Sequence, residues 1–232
     1  MLSPLMNIIQ GTFQLESIKK VARDTKKFRF SVLQKSLDFK AGQFVSIQFN
    51  ATSWRAYSIA STPEENQIEL IVRIISGGVG STALDQAKIG DRFNFKGPFG
   101  HFILSENPEA RLVFCGTGTG IAPLRSMILT EKKRDMMLLY GGRNREDIAY
   151  LEEVGNWSKN LEIKLGLSRE EDPEKLGKYA KNCRIIKYLE DLELLPYDEF
   201  YICGNGDMVK SVQALLAERG VEKTQIFSER FN

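Results

Sequence analysis

Alternation of apolar and polar residues dominates the first hundred positions. FQLESIKKVA (13–22), KKFRFSVL (26–33), QFVSIQFN (43–50), AYSIAS (56–61), QIELIVRII (67–75) and RFNFKG (92–97) either alternate or are rich in β-branched and aromatic residues, the period-two signature of strands. Glycine, proline, asparagine and aspartate punctuate them around 40–42, 63–66 and 77–80, as turns require. Six short strands with one helix over Ser81–Lys88 predict a small closed antiparallel β-barrel.

After Ser105-Glu106-Asn107-Pro108-Glu109 the rhythm changes. ARLVFC (110–115), MMLLYGG (136–142), LEIKLGLS (161–168), EFYICG (199–204) and TQIFSE (224–229) read as strands. Between them IAPLRSMILTEKKR (121–134), EDIAYLEEVGNW (146–157), CRIIKYLEDL (183–192) and GDMVKSVQALLAERG (206–220) carry helical patterns. Such alternation predicts a doubly wound parallel sheet. The expected fold is therefore a β-barrel domain, residues 1–105, followed by an α/β doubly wound parallel-sheet domain, residues 106–232. Ligands of such sheets sit at the carboxyl ends of strands, and the glycine-rich strings of the second half all lie there.

Composition leaves that picture intact. The chain is 42% hydrophobic and 27% charged, as soluble globular proteins are. No apolar run approaches the roughly 18–20 residues of a bilayer span. The start, MLSPLMNIIQGTF, lacks the basic flank of a signal peptide. Cys115, Cys183 and Cys203 have neither metal-site nor disulfide-framework spacing, so a reducing cytoplasm is the default. Net charge is +2, but residues 1–105 hold 13 Lys/Arg against 8 Asp/Glu and the remainder 19 against 22. The early excess falls on Lys19, Lys20, Arg23, Lys26, Lys27, Arg29, Lys35 and Lys40. It is either a solvated face of two strands or a surface that steers an acidic protein partner. Nucleic acid fits less well, because aromatics are not interleaved with these cations.

Candidate chemistry begins at Arg55-Ala56-Tyr57-Ser58-Ile59-Ala60-Ser61. On a strand Arg55 and Tyr57 share a face and Ser58 opposes them. An arginine fork grips phosphate, a tyrosine ring lies on a flat heterocycle, and a serine hydrogen-bonds a ring nitrogen. The plain alternative is a strand ending in a polar turn. GTGTGIAP (116–123) follows a strand and opens a helix, which suits a diphosphate. Its glycines fall on every second residue, unlike the GxGxxG fingerprint, and a tight structural turn explains them equally well. In GVGSTAL (78–84), Ser81 is a plausible N-cap. GPFG (97–100) is a scaffold turn, and His101, the only histidine, is an ordinary loop residue.

Taken in order, RAYSIAS, GVGSTAL, GPFG, GTGTGIAP and CGNGDMV (203–209) resemble the ferredoxin–NADP(+) reductase superfamily of two-domain flavoproteins, from about residue 10 to the end. The resemblance implies FAD, with FMN less favoured, bound by Arg55, Ala56, Tyr57, Ser58, Val72 and Arg73 and by Gly80, Ser81 and Thr82 at its phosphates. It implies a nicotinamide-dinucleotide loop at Gly116, Thr117, Gly118, Thr119 and Pro123, with Arg143 touching the dinucleotide. Ser168 and Arg169 match the pair that grips a ribose 2′-phosphate, which favours NADPH over NADH; Lys178 and Tyr179 match further contacts there. By the same resemblance Cys203 and Gly204 would lie against the nicotinamide, Phe231 would cover the flavin face opposite Tyr57, and Glu229 would help position Ser58 and the nicotinamide. The catalytic set that the resemblance implies is Ser58, Cys203 and Glu229, with no metal. Two departures stand out: the terminal aromatic is phenylalanine rather than tyrosine, and Asn232 follows it. The implied activity is hydride transfer between NADPH and FAD, then single-electron exchange with a small acidic carrier such as ferredoxin or flavodoxin. A free-flavin reductase and the reductase subunit of a multicomponent oxygenase or hydrogenase-type complex are the alternatives.

Overall fold

The structure, a computed structural model, describes residues 8–34, 36–177 and 179–231. Lys35 and Lys178, both singled out above, lie outside the described residues, as does the start of the N-terminal segment. Strands β1 (Ile9–Ala22), β2 (Thr25–Leu33), β3 (Phe44–Gln48), β4 (Trp54–Ser58), β5 (Gln67–Arg73) and β6 (Arg92–Phe99) form one antiparallel sheet in the order β4-β3-β6-β1-β2-β5. A bridge from Ile59, just past β4, to Leu70 in β5 joins the two edges and closes the barrel. Inward residues fill it: Phe13, Leu15, Phe28, Phe30, Val45, Ile47, Leu70 and Phe95 are almost fully buried. Phe13 stacks on Phe95 at 3.9 Å between ring centres. A register shift between Leu15 and Ser17 changes the inward set of β1 from odd to even positions, so Ile18 follows Leu15 into the core; this is what a β-bulge does. Helix α1 (Val79–Gln86) seats Leu84 in the same core.

The second sheet is parallel. Strands β7 (Arg111–Thr117), β8 (Met136–Gly142), β9 (Leu161–Leu167), β10 (Ala180–Lys181), β11 (Asp198–Asn205) and β12 (Ile226–Phe231) run in the order β10-β9-β8-β7-β11-β12. Leu112 and Phe114 of β7 face one side and Val113 and Cys115 the other, and all four are fully buried. That two-sided burial is why these strands read as continuous apolar runs. Helix α2 (Ile121–Thr130) packs on the first side; helices α3 (Ile185–Glu190) and α4 (Gly206–Glu218) pack on the second. Strand order reverses between β7 and β11, which is where ligands of such sheets bind. The core under α2 also takes in Ala41, Ala60, Ile71 and Phe102 from the first half, so the two sheets share packing at their seam.

Three local expectations are corrected. Residues 146–157 form no α-helix; short 3₁₀ turns at Arg145–Asp147 and Val154–Asn156 flank Tyr150, which sits at φ 61°. A left-handed tyrosine interrupts any helix, yet Ile148, Ala149, Val154 and Trp157 are still buried, so the apolar spacing reflected packing rather than helix. Helix α1 starts at Val79 with Gly78 as its N-cap, which removes Ser81 from the capping position. Gly97, Pro98 and Phe99 belong to β6, and only Gly100, at φ +99°, turns the chain.

Candidate active site

Strand β4 places Arg55 and Tyr57 beside the start of α1. A methyl group added at Gly80 would strike the Tyr57 hydroxyl and approach the Phe49 ring to 2.9 Å and Arg55 Cγ to 3.2 Å. Only glycine lets the arginine and the ring lie against this helix start. Helix geometry leaves the amides of Val79, Gly80 and Ser81 without intrahelical acceptors. The Thr82 amide is already used, donating to the Gly78 carbonyl at 2.8 Å. The Ser81 hydroxyl turns inward as well: it accepts from the Ile75 amide at 3.2 Å and donates toward the Ile75 and Gly78 carbonyls at 3.1 and 3.3 Å. The amides left free at this helix start are therefore those of Val79, Gly80 and Ser81, while the Ser81 hydroxyl braces the loop. Exposed Arg55, its Nη1 on the Trp54 carbonyl at 2.8 Å, adds a cation to this cradle. Burial pushes the Tyr57 phenol up to about 12, with Arg55 pulling the other way, so it stays protonated. Ala56 and Arg73 are exposed, whereas Val72 points into the barrel core.

Across the seam, β7 ends at Thr117 and the chain makes a tight turn through Gly118–Gly120 into α2, with Pro123 in the first helical turn. Gly118, at φ +57°, has open space around it, while a methyl at Gly120 would strike the Cys203 carbonyl. The loop is therefore pressed onto the end of β11 on one side and open on the other. Gly116 is buried within the sheet. Thr117 Oγ1 accepts from the Asn205 amide at 3.2 Å, and Gly204 lies against Thr117. The Tyr140 hydroxyl donates to the Gly118 carbonyl at 3.0 Å and fixes the turn.

Parallel pairing of β11 with β12 sets Cys203 beside Glu229. Ser58 Oγ donates to Glu229 Oε2 at 3.4 Å, although the two are 171 positions apart. The barrel and the parallel sheet thus bring Ser58, Glu229 and Cys203 to one place. Burial pushes the Glu229 carboxyl up, with the Ser58 hydrogen bond pulling it back. Burial, reinforced by the Glu229 charge, lifts the Cys203 thiol well above its ordinary value, so it remains a neutral, compact side chain. Phe231 is half-buried against the core that includes Cys203; no ring contact between it and Tyr57 is formed among the described residues.

Residues flagged for the far end of a dinucleotide follow β8 and β9. The Ser168 amide donates to the Gly142 carbonyl at 3.1 Å and the Arg169 amide to the Arg143 carbonyl at 2.8 Å, which joins the two loops. Arg143, Ser168 and Arg169 are exposed, and neither guanidinium has an acidic partner among the described residues. Glu170 is committed elsewhere: Arg145 donates to it at 2.9 and 3.2 Å, and this hydrogen bonding holds its carboxyl down at about 2. Exposed Tyr179 walls a hollow of about 320 Å³ with Leu151, Val154 and Ile163.

Sequence reasoning missed Glu69. It is fully buried in β5 and gathers Arg29 at 2.8 Å, Arg125 at 3.3 Å, Lys27 at 3.5 Å and the Tyr150 hydroxyl at 2.7 Å. Its only sequence signal is a lone acid inside the apolar run QIELIV. The basic run of β1 and β2 is largely used here and nearby: Arg23 pairs with Glu146 and Asp147, Lys26 with Asp85, and Lys27 also with Glu153. Part of that run is thus ion-paired, Arg23 and Lys26 at the surface and Lys27 and Arg29 on the buried Glu69.

Two family models match, the oxidoreductase FAD-binding domain over residues 12–103 and the oxidoreductase NAD-binding domain over residues 114–214. Fold and seam together define a protein with an FAD-binding barrel joined to a nicotinamide-dinucleotide-binding sheet. The chain belongs to the ferredoxin–NADP(+) reductase superfamily of oxidoreductases. It is 28% identical over 231 residues to the reductase component of propane 2-monooxygenase from Mycolicibacterium smegmatis, covering 94% of this chain and 66% of that protein. It is 34% identical over 214 residues to one component of the Na(+)-translocating NADH-quinone reductase of a Marinomonas species, covering 83% and 52%. The chain thus spans between about half and about two thirds of the length of these relatives. Among solved structures, the Amycolatopsis cytochrome P450 reductase GcoB superposes with a TM-score of 0.84 at 26% identity, over 97% of this chain and 71% of that one. A Neisseria gonorrhoeae ferredoxin–NADP(+) reductase with bound FAD and NADP shares the fold at a TM-score of 0.84 and 24% identity, over 95% and 98%.

Proposed function

We propose that this chain is an FAD-dependent reductase in which residues 1–105 hold the flavin, residues 106–232 dock NADPH, and electrons leave singly to a small protein carrier. The observation that carries this reading is the meeting of Ser58, Glu229 and Cys203 at the seam of the two sheets. When bound, flavin would supply the chemistry that links two-electron exchange with a nicotinamide to one-electron exchange with a carrier. The chain's own residues orient and exclude water. The Ser58 hydroxyl offers a hydrogen bond at the ring edge, the Tyr57 ring a stacking face, and Arg55 with the Val79, Gly80 and Ser81 amides a phosphate cradle. Neutral Cys203 gives the nicotinamide an uncharged wall, and Glu229 holds Ser58. The open side of the Gly118 turn, at a helix start, suits the dinucleotide diphosphate.

Preference for NADPH is supported by the Arg143 and Arg169 guanidiniums beside Ser168, which lack acidic partners among the described residues. A carboxylate closing this strand would accept the 2′-hydroxyl of NADH, but Glu170 is taken by Arg145. A reducing cytoplasmic setting fits three free thiols, two of them buried. A second reading, the reductase component of a multicomponent oxygenase, is favoured by the kind of relatives the chain matches.

The test is to purify the chain, identify its released chromophore and titrate both reduced dinucleotides. FAD should co-purify. Arg169→Ala should raise KM for NADPH by about tenfold to a hundredfold, the worth of a lost charge-assisted contact, and leave KM for NADH nearly unchanged. A colourless chain that takes up no FAD overturns the reading; equal effects on the two dinucleotides overturn the NADPH preference.

A further inference from the structure

Helix α2 begins at the glycine-rich loop after β7, and its second turn meets the segment that follows Ser58. Arg125 Nη1 donates to the Ala60 carbonyl at 2.7 Å, and Ser126 Oγ donates to the Ser61 carbonyl at 2.6 Å. Ala60 and Ser61 directly continue the segment bearing Ser58, and the bridge at Ile59 ties that segment into the barrel. The contact is buried: Ala60, Ser61, Glu69 and Ser126 are fully buried and Arg125 nearly so. Its back is braced as well. The Ala60 amide donates to the Glu69 carbonyl oxygen at 2.8 Å, the Glu69 amide donates to Ser61 Oγ at 3.1 Å, and the Arg125 guanidinium faces the Tyr150 and Trp157 rings at 4.8 and 5.6 Å.

Close-packed interiors transmit displacements rather than absorb them. A shift of α2 at its phosphate end therefore reaches Ala60 through one guanidinium and Ser61 through one hydroxyl. Ser58, two residues back from Ala60, is gripped from the other direction by Glu229 of β12. Both grips come from the dinucleotide-binding half, and both act on the same short stretch of the barrel.

We propose that Arg125 and Ser126 are positioning residues for hydride transfer: by holding the Ala60 and Ser61 carbonyls, they make the helix that opens at the dinucleotide loop also set where Ser58 stands at the ring seam. Neither touches the reacting atoms. This inference rests on the functional reading above.

Ser126→Ala removes one hydroxyl and leaves the shape of the interface in place. It is expected to retain FAD and to change the dissociation constant for NADP(+) by less than about threefold, because uniform binding is untouched. The rate of flavin reduction at saturating NADPH should fall by about tenfold or more, as ångström-scale misplacement of reacting groups does. The long-wavelength charge-transfer absorbance that reports contact between the two rings should weaken in parallel. Arg125→Lys keeps a cation near Glu69 but loses the fork that also reaches Ala60, and should show the same split. If that variant fails to fold, Ser126→Ala decides alone. A lower melting temperature with a wild-type reduction rate per bound flavin overturns the positioning role. A wild-type chain that binds FAD but is reduced by neither dinucleotide brings down the functional reading and this inference together. A wild type reduced normally beside an unaffected Ser126→Ala overturns the inference alone.

Discussion

Two carboxylates face the seam between barrel and parallel sheet, and their surroundings could hardly differ more. Glu69 sits among Arg125, Arg29 and Lys27 and accepts from the Tyr150 hydroxyl; burial works against its charge, but these partners hold its carboxyl below the ordinary value. Glu229 has one hydroxyl, that of Ser58, and burial leaves its carboxyl raised. Burial alone does not say what an acid is for. The number and charge of its partners decide whether it fastens two halves or stands uncompensated where a substrate ring could use it.

The largest expected effect comes from breaking the fastening. Glu69→Ala leaves the buried Arg125 and Lys27 with only the partly exposed Glu153, at 3.9 and 3.5 Å, as counter-charge, and stripping a buried cation of its main partner typically costs about 3–5 kcal/mol. Urea denaturation should show a midpoint far below the wild type. A loss under about 1 kcal/mol would mean that the cations relax into solvent and that the network is ornamental.

Glu229 should behave with the opposite sign and a smaller size. A carboxyl whose folded value is raised binds more protons folded than unfolded, so its contribution is favourable below the ordinary value near 4.5 and is lost as pH climbs through the folded value. Glu229→Gln, which cannot ionise, should therefore gain stability relative to wild type as pH rises from about 4 to 7. For Glu69→Gln the trend reverses: the lowered carboxyl stabilises above the ordinary value and loses that as pH falls. Parallel trends for the two variants, followed by chemical denaturation across pH, would erase the contrast between the sites.

What the sequence disclosed about these two places follows from how local each is. Short strings with strict backbone demands, RAYSIAS and GTGTGIAP, stand out because turn, strand and helix start must all be satisfied within eight residues. The seam they border does not. Glu69 reads as one acid in an apolar strand, and its partners lie at sequence distances no periodicity can bridge: Arg29 is 40 positions away and Tyr150 is 81. Tyr150 also lies in the stretch whose spacing predicts a helix, where apolar spacing is set by packing while its own backbone takes the left-handed region. β10, two residues long, carries too little pattern to be seen at all. Ser81 differs for a subtler reason: a serine near a helix start caps or braces depending on a small shift in where the helix begins.

Charge on the β1–β2 hairpin tests the same rule at its weakest. Lys26 pairs with Asp85 at 2.6 Å, both side chains about one third exposed. Lys19 and Lys20, on the opposing strand, have no acidic partner among the described residues, and Lys20 stands directly across from Lys26. If pairing, not sequence position, decides availability, only the unpaired lysines are free to attract an acidic carrier. Lys26→Ala should cost less than about 1 kcal/mol of stability, shrinking as salt screens the exposed pair, and leave carrier reduction unchanged. Lys19→Ala with Lys20→Ala should leave stability alone and slow carrier reduction severalfold at low salt, with the difference vanishing at high salt. Stopped-flow reduction of an acidic ferredoxin or flavodoxin across ionic strengths measures this. A slowing confined to Lys26→Ala would show that an ion-paired lysine still reaches the carrier, and the distinction drawn between Glu69's committed cations and the free ones would not extend to the surface.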